Sequence, residues 1–437
     1  MKNTCNPAIV KVYKKTNNSE VLQVYFHYIN KLLNIPEVYI NDISFDDQMI
    51  VYLRVEPAKS VQECPYCGSS CVKRNGTPYH RLVRHLPLME WRTILLVPAI
   101  NMQCKHCGSN FVWEYDFVEP KKQYTKAFQK QLIQQGHGIT IQAMASFQSV
   151  PYATAERYYK NGLESESAHT QATCIQDAID RDRLVLGIDD FAVRKGHTYN
   201  TGIHDLKGGS FLDVISGRKM EDLQAFQKTC PYLHALNPIA VVMDMSYTYH
   251  KFVKQCFPQA IRIADRFHVN RYVTDAMHEV RKDVQKTLSP QARKRLERHH
   301  HLLEKRYDTL STKEQAIIQT ILNYDERLNA TYEWKEAFID WYDLSADAKQ
   351  AKLTLEQWYK QGHRLRHAAV ESCIKTIQNW EAEVINYHRL RFTNAVVEGR
   401  HNKIKALQRR HYFTPNRNVY KNRILFECNL DYMQGIA

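Results

Sequence analysis

The sequence predicts a multidomain α+β protein in which a small β domain with a metal site precedes an α/β region and a long helical region. Three observations favour this fold class. Two Cys-x-x-Cys-Gly motifs lie among segments whose apolar residues alternate as in strands. Further along, several buried strands are each followed by an aspartate. From about residue 269 to residue 390 the pattern is helical almost throughout.

Charge and composition limit the class of partner. The chain has 437 residues and a formal charge of +14, and no single tail carries the excess, so a long polyanion such as DNA or RNA is the expected partner. The longest clearly apolar stretches, such as 94–97, are too short to span a membrane, and the first residues lack the apolar core of a secretory signal. Eleven cysteines, four of them in tight pairs, favour a reducing cytoplasm and a metal site over disulfides.

The first part of the chain predicts one helix and two extended segments. Residues 20–34 carry a helical pattern that Pro36 ends. In the second extended segment, apolar residues alternate from Met49 to Val55, which predicts a strand with one face toward a core. We therefore expect an N-terminal helix and strand segment over 1–45 and a zinc-ribbon-like β domain over 46–118.

Four cysteines within this β domain predict one structural Zn²⁺ ion. In Cys64-Pro-Tyr-Cys67-Gly68 and Cys104-Lys-His-Cys107-Gly108, the glycine after the second cysteine allows a tight turn that directs two thiolates at one tetrahedral ion. The 36 residues between the two pairs exceed the usual ribbon spacing, although a hairpin could bridge them. A redox pair is the alternative for either motif alone. The candidate replacement ligands are Cys71, His80, His85 and His106.

Residues 119–165 predict a helix-turn-helix domain. A helix over Lys126–Gln135 is interrupted at 136–138, a short segment follows at 139–147, and a further helix is expected over 152–162. In such a domain the last helix enters the major groove of DNA, and an ordinary helical hairpin between two domains is the alternative. The candidate DNA contacts on this helix are Thr154, Arg157, Tyr158 and Lys160. Residues 163–181 are expected to form a linker.

Three buried strands each lead to an aspartate. The strand expected at 184–188 leads to Asp189 and Asp190, and the same arrangement recurs at Asp244 and Asp265. Because an unpaired buried carboxylate is costly, the pair Asp189 and Asp190 is either solvated in a turn or held ionised by a cation. An Asp-Asp turn after a core strand is the alternative for the first pair. The other expected elements are strands at 199–205, 210–216, 238–243 and 260–264 and helices at 220–230 and 250–257.

The C-terminal part of the chain is helical and strongly basic. A last helix is expected to open near Thr393 and Asn394, and between Arg389 and Arg423 ten Lys or Arg residues accompany a single acidic residue, Glu398. That carboxylate is either a screened surface residue or a metal ligand that faces the same anionic substrate as the surrounding cations. Four tryptophans of the preceding helical region are spaced as core aromatics, namely Trp334, Trp341, Trp358 and Trp380.

Taken together, these motifs resemble the insertion-sequence transposases of the ISL-three family, which have a ribonuclease H-like catalytic domain. The resemblance covers nearly the whole chain. The family pattern usually reads Ile-Asp-Glu where this chain has Ile188-Asp189-Asp190. Asp189 therefore matches the catalytic position, and Asp190 is the alternative candidate for it. The resemblance rests on both cysteine motifs, the helix-turn-helix, Gly187–Ala192 with Arg194–His197 and Tyr199, Met243–Ser246, Ala264–His268, and Asn394–Gly399.

The resemblance implies a catalytic triad of Asp189, Asp244 and Glu398. Three carboxylates can hold two Mg²⁺ or Mn²⁺ ions roughly 3.5–4 Å apart, which serve an in-line displacement at phosphorus. Water attacks first and a DNA 3′-hydroxyl second, so one site cuts the element's end and joins it to a target. The implied catalytic core covers 182–270 and, as a C-terminal helical part, 389–437, with an all-α insertion at 271–388.

Supporting roles follow from the same resemblance. Asp265 and His268 match a motif that follows the second catalytic aspartate; Asp265 could instead cap the helix that begins at Arg266 or be the true second ligand. Asp190 and Asn394 complete the supporting set. The cations expected to offset phosphate repulsion are Arg194, Lys195, Arg400, Lys403, Lys405, Arg409 and Arg410.

The expected partners are double-stranded DNA, both at the element's terminal inverted repeats and at the target, and at least one further copy of the chain, because two ends must be paired. We expect a cytoplasmic, nucleoid-associated bacterial protein. Two other functions remain open at this point. One is a nuclease that only hydrolyses nucleic acid, and the other is a DNA-binding regulator without catalysis.

Overall fold

The computed structural model of the protein describes residues 27–194, 198–411 and 416–435. The chain divides into two compact units, residues 1–163 and 164–437. Of the sequence predictions, Lys195 and the first part of the helix expected at 20–34 lie outside the described residues. The later part of that helix is present over residues 27–33 (α1).

The N-terminal unit contains a mixed four-stranded sheet. Its strands are β1 (Val38–Phe45), β2 (Ile50–Pro57), β4 (His80–Arg84) and β5 (Arg92–Pro98), in the order β1-β2-β5-β4. β1 and β2 form an antiparallel hairpin. The domain boundary predicted after residue 45 would therefore separate two strands that are hydrogen-bonded to each other. The alternation predicted from Met49 to Val55 is present, since Val51, Leu53 and Val55 are buried.

A second, three-stranded sheet brings the two cysteine motifs of this unit together. β3 (Val72–Arg74), β6 (Asn101–Cys104) and β7 (Asn110–Val112) are antiparallel in the order β3-β6-β7. Val72 of β3 pairs with Cys104 of β6. The intervening residues form β4 and β5 of the larger sheet, which explains why the spacing between the motifs exceeds that of a simple ribbon.

Three helices follow in the positions expected for a helix-turn-helix: α2 (Lys126–Gln135), α3 (Ile141–Phe147) and α4 (Tyr152–Asp180). The first two have threonine N-caps. Thr125 accepts a hydrogen bond from the backbone of Phe128, and Thr140 accepts one from Ala143. Between α2 and α3, Gly138 has a φ of 68°, a conformation that favours glycine.

The linker predicted at 163–181 is wrong, because α4 is one helix of 29 residues that continues to Asp180. The second half of α4 buries a narrow face at helical spacing of three and four. This face consists of Leu163, Ser167, Thr170, Cys174 and Ala178. Small and polar side chains dominate it, so the stretch lacks the apolar periodicity by which a helix is recognised in a sequence.

The C-terminal unit is built on a five-stranded sheet in the order β10-β9-β8-β11-β12, with β8 (Val185–Arg194), β9 (Thr198–Asp205), β10 (Ser210–Ser216), β11 (Ala240–Met243) and β12 (Ile261–Ala264). The predicted antiparallel meander of β8, β9 and β10 is confirmed. β11 and β12 then run parallel to β8. Two helices precede and follow β11, namely α5 (Met220–Thr229) and α6 (Tyr247–Cys256).

The sequence predicts that β8 ends at Ile188, and this is correct only for the edge of β8 that pairs with β11. Parallel pairing with β11 stops where Ile188 meets Met243, but antiparallel pairing with β9 continues to Arg194. Asp189 and Asp190 therefore lie within β8. A single sequence carries no signal for this, because the length of β8 is set by its pairing with β9.

The helical region of the C-terminal unit begins directly after β12. Its helices are α7 (Arg266–Thr287), α8 (Pro290–His299), α9 (Thr312–Leu322), α10 (Glu326–Leu344), α11 (Ala348–Arg364), α12 (Ala368–Asn379) and α13 (Glu381–Leu390). The four tryptophans are buried as predicted, and Trp334 and Trp358 stack with ring centroids 4.4 Å apart. Two further helices, α14 (Ala395–His411) and α15 (Arg417–Met433), follow. Within the described ranges, no helix combines the length and apolar character required to cross a membrane.

Candidate active site and metal centre

The four predicted cysteine ligands of the N-terminal unit converge. All four sulfur atoms lie within 4.8 Å of one another, and Sγ of Cys64 is 3.7 Å from Sγ of Cys107. Four sulfurs that each lie about 2.3 Å from a central ion are separated by about 3.8 Å, so this spacing fits one tetrahedral Zn²⁺. Cys67 and Cys104 are likewise 3.7 Å apart.

Both cysteine turns have the geometry predicted for them. Gly68 and Gly108 have φ values of 70° and 76°, a left-handed conformation that favours glycine. Their backbone N–H groups donate to the carbonyls of Cys64 and Cys104 at 2.9 and 3.1 Å. None of the replacement ligands considered from sequence belongs to the cluster among the described residues.

A second candidate site lies in the C-terminal unit, where the parallel strands β8, β11 and β12 stop in register. Ile188 pairs with Met243, and Met243 pairs with Ala264. The next residue in each case is an aspartate, so Asp189, Asp244 and Asp265 are neighbours along one edge of the parallel part of the sheet. This register is the reason that aspartates far apart in sequence reach one place.

His268 lies between two of these carboxylates. It is in the first turn of α7, with Nδ1 3.4 Å from Oδ1 of Asp244 and Nε2 3.9 Å from Oδ1 of Asp189. Burial alone would lower the pKa of His268, but the two carboxylates outweigh it and raise the pKa to about 9. Burial in turn raises the pKa of Asp189, against the effect of His268. The imidazolium therefore balances charge between two close carboxylates.

The aspartate that follows Asp189 has a different partner. Successive side chains of a strand point to opposite faces. Arg218 donates to Oδ2 of Asp190 at 2.9 Å, and its guanidinium lies over the ring of Tyr199 at 3.9 Å from the centroid. Sequence reasoning missed Arg218, and a single arginine in a loop carries no local signal of such pairing.

Glu398 lies in the first turn of α14, where its side chain is exposed. It lines a cleft of about 520 Å³ together with Asp189, His268, His401 and Lys405. Asp265 also lines this cleft, whereas Asp244 is not among its lining residues and contacts one of them, His268. Among the described residues the four cysteines are the one set of three or more metal-ligand atoms within 4.8 Å of each other. Two carboxylates of the predicted triad, Asp189 and Glu398, thus line the cleft, and Asp244 contacts the cleft residue His268, without that degree of closure.

His401 is a site residue that sequence reasoning did not single out. Its Nδ1 is 3.7 Å from Oδ2 of Asp189, and burial, followed by the charge of Lys405, lowers its pKa to about 4. A neutral imidazole therefore faces Asp189 from α14. The available signal was helical spacing, because residues 398, 401 and 405 recur at intervals of three and four and so share one face of α14.

Two groups that line the cleft, Asp265 and Asn394, secure the start of α14. Asp265 is buried, and its Oδ1 accepts a hydrogen bond from the backbone N–H of Asn394 at 2.9 Å. Close packing of α14 on β8 depends on Gly187. A Cβ there would lie 2.8 Å from Oδ1 of Asn394 and 3.1 Å from a methyl group of Val397.

Some predicted DNA contacts on α14 are corrected by the structure. Arg400 is half-buried: its guanidinium donates to His204 and to the carbonyl of Gly209, and burial lowers its pKa. Lys403 is half-buried and pairs with Asp431 at 3.4 Å. Lys405 and Arg409 are exposed. The side chains of Arg194 and Arg410 lie outside the described part of the structure.

One predicted contact on α4 is also corrected. Tyr158 is buried and packs edge-to-face on Tyr124, with ring centroids 5.6 Å apart, so it belongs to the core of the helical part of the N-terminal unit. Thr154 is half-buried, whereas Arg157 and Lys160 are exposed. Lys160 forms an ion pair with Glu156 one turn earlier.

Comparisons with known proteins match the regions of the chain that contain the cysteine cluster and the cleft. A family model described as Transposase, of the ISL3 DDE type, matches residues 186–424. A second, described as zinc-finger of transposase IS204/IS1001/IS1096/IS1165, matches residues 60–107 and contains all four cysteines. The chain is also 26% identical over 367 residues to the transposase for insertion sequence element IS1001 of Bordetella parapertussis, an alignment that covers 83% of this chain and 87% of that protein.

The two matches define a DNA-processing enzyme with a zinc finger, and the first spans more than half of the chain. The protein belongs to the ISL3 family of insertion-sequence transposases. The family predicted from the sequence motifs is thereby confirmed, and so is the expected class of function.

Proposed function

We propose that the protein binds the ends of its insertion sequence and cuts and joins DNA with a triad of Asp189, Asp244 and Glu398. The observation that carries this proposal is the parallel register of Ile188 with Met243, which makes Asp189 and Asp244 neighbours. Glu398 lines the same cleft from α14. The strand order β10-β9-β8-β11-β12 supports a ribonuclease H-like core over 182–270 and 389–437, with the helices between them as an insertion.

The residues of the cleft fit a pair of divalent cations. Carboxylate oxygens are the ligands that Mg²⁺ and Mn²⁺ prefer. Asp189 and Asp244 both lie close to one positively charged group, His268. A bound cation would compensate their negative charge in the same way. Two such ions, when bound, activate an attacking oxygen and stabilise a leaving oxygen at phosphorus.

The protein's own groups hold the reacting DNA. Asp189 is kept in position by β8, by the N–H of Asp190 at 2.7 Å, and by His268 and His401. Lys405 lines the cleft and attracts the phosphate that enters it. We assign Asp265 and Asn394 a positioning role, because their hydrogen bond secures the start of the helix that carries Glu398.

The second ligand is Asp244 in this proposal, although Asp265 occupies the equivalent place on the next strand. The side chain of Asp244 is 33% exposed and contacts His268, whereas Asp265 is buried and accepts the N–H of Asn394. A metal ligand must direct a free lone pair at the ion, which the more exposed Asp244 can do more readily. Asp190 is disfavoured for a similar reason, since Arg218 already neutralises it.

DNA recognition is proposed for both units. Arg157 and Lys160 are exposed on α4, with Thr154 beside them, and form the proposed major-groove contacts of the N-terminal unit. Lys405, which lines the cleft, and Arg409, which is exposed on the same helix, are proposed to bind phosphate. Arg194, Lys195 and Arg410 are retained as proposed phosphate contacts from the sequence alone. Pairing two ends requires at least a dimer on DNA, and acting on double-stranded bacterial DNA implies a nucleoid location.

The test is cleavage and strand transfer by the purified protein on duplexes that carry the element's own ends, with Mg²⁺ or Mn²⁺. Asp189→Asn, Asp244→Asn and Glu398→Gln are each expected to bind these ends and to neither cut nor join them. Asp308→Asn, a matched change at an exposed carboxylate of the helical region, retains activity. Cutting without joining would instead favour a nuclease, and an active Asp244→Asn together with an inactive Asp265→Asn would reassign the second ligand.

A further inference from the structure

The exposed aromatic side chains of the C-terminal unit are concentrated on the helices that follow Asp244 and Asp265. Among the described residues of this unit, three Phe, Tyr or Trp side chains are exposed, namely Tyr247, Phe267 and Tyr272. The first opens α6, and the other two lie in the first two turns of α7. The other described aromatic side chains of the unit are buried or half-buried. Exposure of aromatic rings is therefore a local property of this part of the unit.

Phe267 is the exposed aromatic residue that lines the cleft at Asp189. It is 54% exposed and lies in the first turn of α7. Its ring meets the ring of His268 edge to face, with centroids 5.5 Å apart and an angle of 89° between the planes. His268 in turn lies between Asp189 and Asp244. One side chain therefore separates the phenyl ring from two of the proposed metal ligands.

The cleft around Phe267 is otherwise polar. Apart from Phe267 and Ala395, every residue that lines it has a polar or charged side chain. A single exposed apolar residue is common on protein surfaces, but this ring lies in a concave site next to carboxylates, where its contact with water is unfavourable until a ligand covers it. A nucleotide combines the two features that this site requires. Its base has a flat aromatic face for the ring, and its phosphate is attracted by Lys405.

A base can reach this ring only if it leaves the duplex. In double-stranded DNA the phosphates lie outside and the faces of the bases are covered by their neighbours in the stack. A protein ring that lies beside the backbone therefore meets no free base face. A base next to the phosphate held in the cleft contacts Phe267 once it has been displaced from the stack. Aromatic side chains accept displaced bases in other nucleic-acid-binding proteins, and stacking on the ring offsets part of the free energy of unpairing.

We propose that Phe267 stacks on a nucleobase that is displaced from the duplex next to the scissile phosphate. This inference rests on the proposed function, because it takes the cleft at Asp189 as the place of cutting. The ring contacts the face of the base, so the contact accepts any of the four bases. Its effect is to hold the strand so that the scissile phosphate stays at the carboxylates.

The test measures the affinity of full-length variants for a duplex that spans one element end and its flank, without added Mg²⁺ or Mn²⁺. Phe267→Ala removes the ring, and Phe267→Tyr keeps it. Leu353→Ala is the matched control, because Leu353 is 59% exposed on α11 and does not line the cleft. Each protein is also tested on duplexes in which one base at a time, on either side of the junction, is replaced by an abasic site. Binding is read without cutting, so failure of the proposed chemistry does not affect it.

Phe267→Ala is expected to bind the intact duplex about 10-fold more weakly, whereas Phe267→Tyr and Leu353→Ala bind it like the unchanged protein. The difference between Phe267→Ala and the unchanged protein should vanish on the one abasic duplex that lacks the stacked base. A mismatch at that position should strengthen binding by the unchanged protein, because an unpaired base leaves the stack at lower cost.

Three results would overturn the proposal. The first is an equal loss for Phe267→Ala on every abasic duplex, because the ring would then contact the backbone or support His268. The second is an affinity of Phe267→Ala for the intact duplex that equals that of the unchanged protein, or a loss that Phe267→Tyr or Leu353→Ala shares in full. The third is a mismatch that has no effect at any position, which would show that the base stays paired.

Discussion

The carboxylate of Asp265 and the backbone N–H of Asn394 form a hydrogen bond of 2.9 Å across 129 residues of chain. It joins the end of β12 to the residue before α14, and all of the helices from α7 to α13 lie between the two. Glu398 follows Asn394 by four residues. The placement of the proposed third ligand therefore depends on a contact made by an aspartate that we do not assign to the metal site.

This relationship predicts a distinctive result for Asp265→Asn. The amide side chain still fills the space but is a weaker acceptor for the Asn394 N–H, and the lost charge-assisted bond is expected to cost about 1–3 kcal/mol of unfolding free energy. Cleavage is expected to fall while binding of element ends persists. Chemical denaturation and an end-cleavage assay measure the two effects. If activity vanished with no change in stability, Asp265 would be a metal ligand instead.

Gly187→Ala tests the contact between β8 and α14. The added Cβ would lie 2.7 Å from a methyl group of Leu206 and 2.8 Å from Oδ1 of Asn394, so α14 must shift. We expect a loss of about 1–3 kcal/mol of stability, together with reduced cleavage. Gly399→Ala is the matched control, because its Cβ would meet no atom within 4 Å and alanine favours the helix. Equal stability of the two variants in thermal unfolding would show that α14 is not packed this way.

The protein is expected to lose zinc when a cysteine of the four-cysteine cluster is replaced, and to keep it when a cysteine outside the cluster is replaced. Cys104→Ser removes a buried ligand at the end of β6, whereas Cys71→Ser changes an exposed thiol outside the cluster. The first variant should lose the single bound Zn²⁺ and unfold β3, β6 and β7, because metal binding supplies folding free energy to such small sites. The second should retain it. Metal analysis and hydrogen exchange provide the readout, and retention of zinc by Cys104→Ser would contradict the four-cysteine site.

A buried histidine predicts acid sensitivity of the helical region. His388 packs against Trp341 and Tyr342, and burial, followed by the charge of Arg391, lowers its pKa from 6.5 to about 4. Because the folded-state pKa lies below the unfolded one, the unfolded chain binds the proton first. Stability is therefore complete above about pH 6.5 and falls as pH decreases toward 4. By pH 5 the loss is about 1–2 kcal/mol.

His388→Leu is expected to remove this part of the pH dependence in denaturant titrations at pH 7.5 and pH 5. The exposed His169 of α4 offers a control, since His169→Leu should leave the pH dependence of the unchanged protein in place. An undiminished loss of stability in acid for His388→Leu would assign the effect to other groups.

Local chemistry in the sequence was sufficient for much of this protein. The cysteine turns, the threonine-capped helices, the meander and the aspartates after buried strands are each specified by a few adjacent residues. Such patterns constrain backbone conformation directly, so they are readable without knowledge of distant contacts. The resemblance to the ISL3 family added a triad of carboxylates as the expected metal ligands, and the assignment of these ligands is still a prediction.

Only the tertiary structure decided which side chains share a surface. Tyr158 and Arg400 carry residue types typical of DNA contacts, yet one packs on Tyr124 and the other bonds to His204 and Gly209. The extent of β8 past Asp189 depends on its pairing with β9. The buried face of the second half of α4 consists mostly of small and polar residues, so it does not show as an apolar pattern in the sequence. Each of these outcomes depends on an element that is remote in sequence. Local periodicity specifies helix or strand, but burial of a given side chain is determined by the partner packed against it.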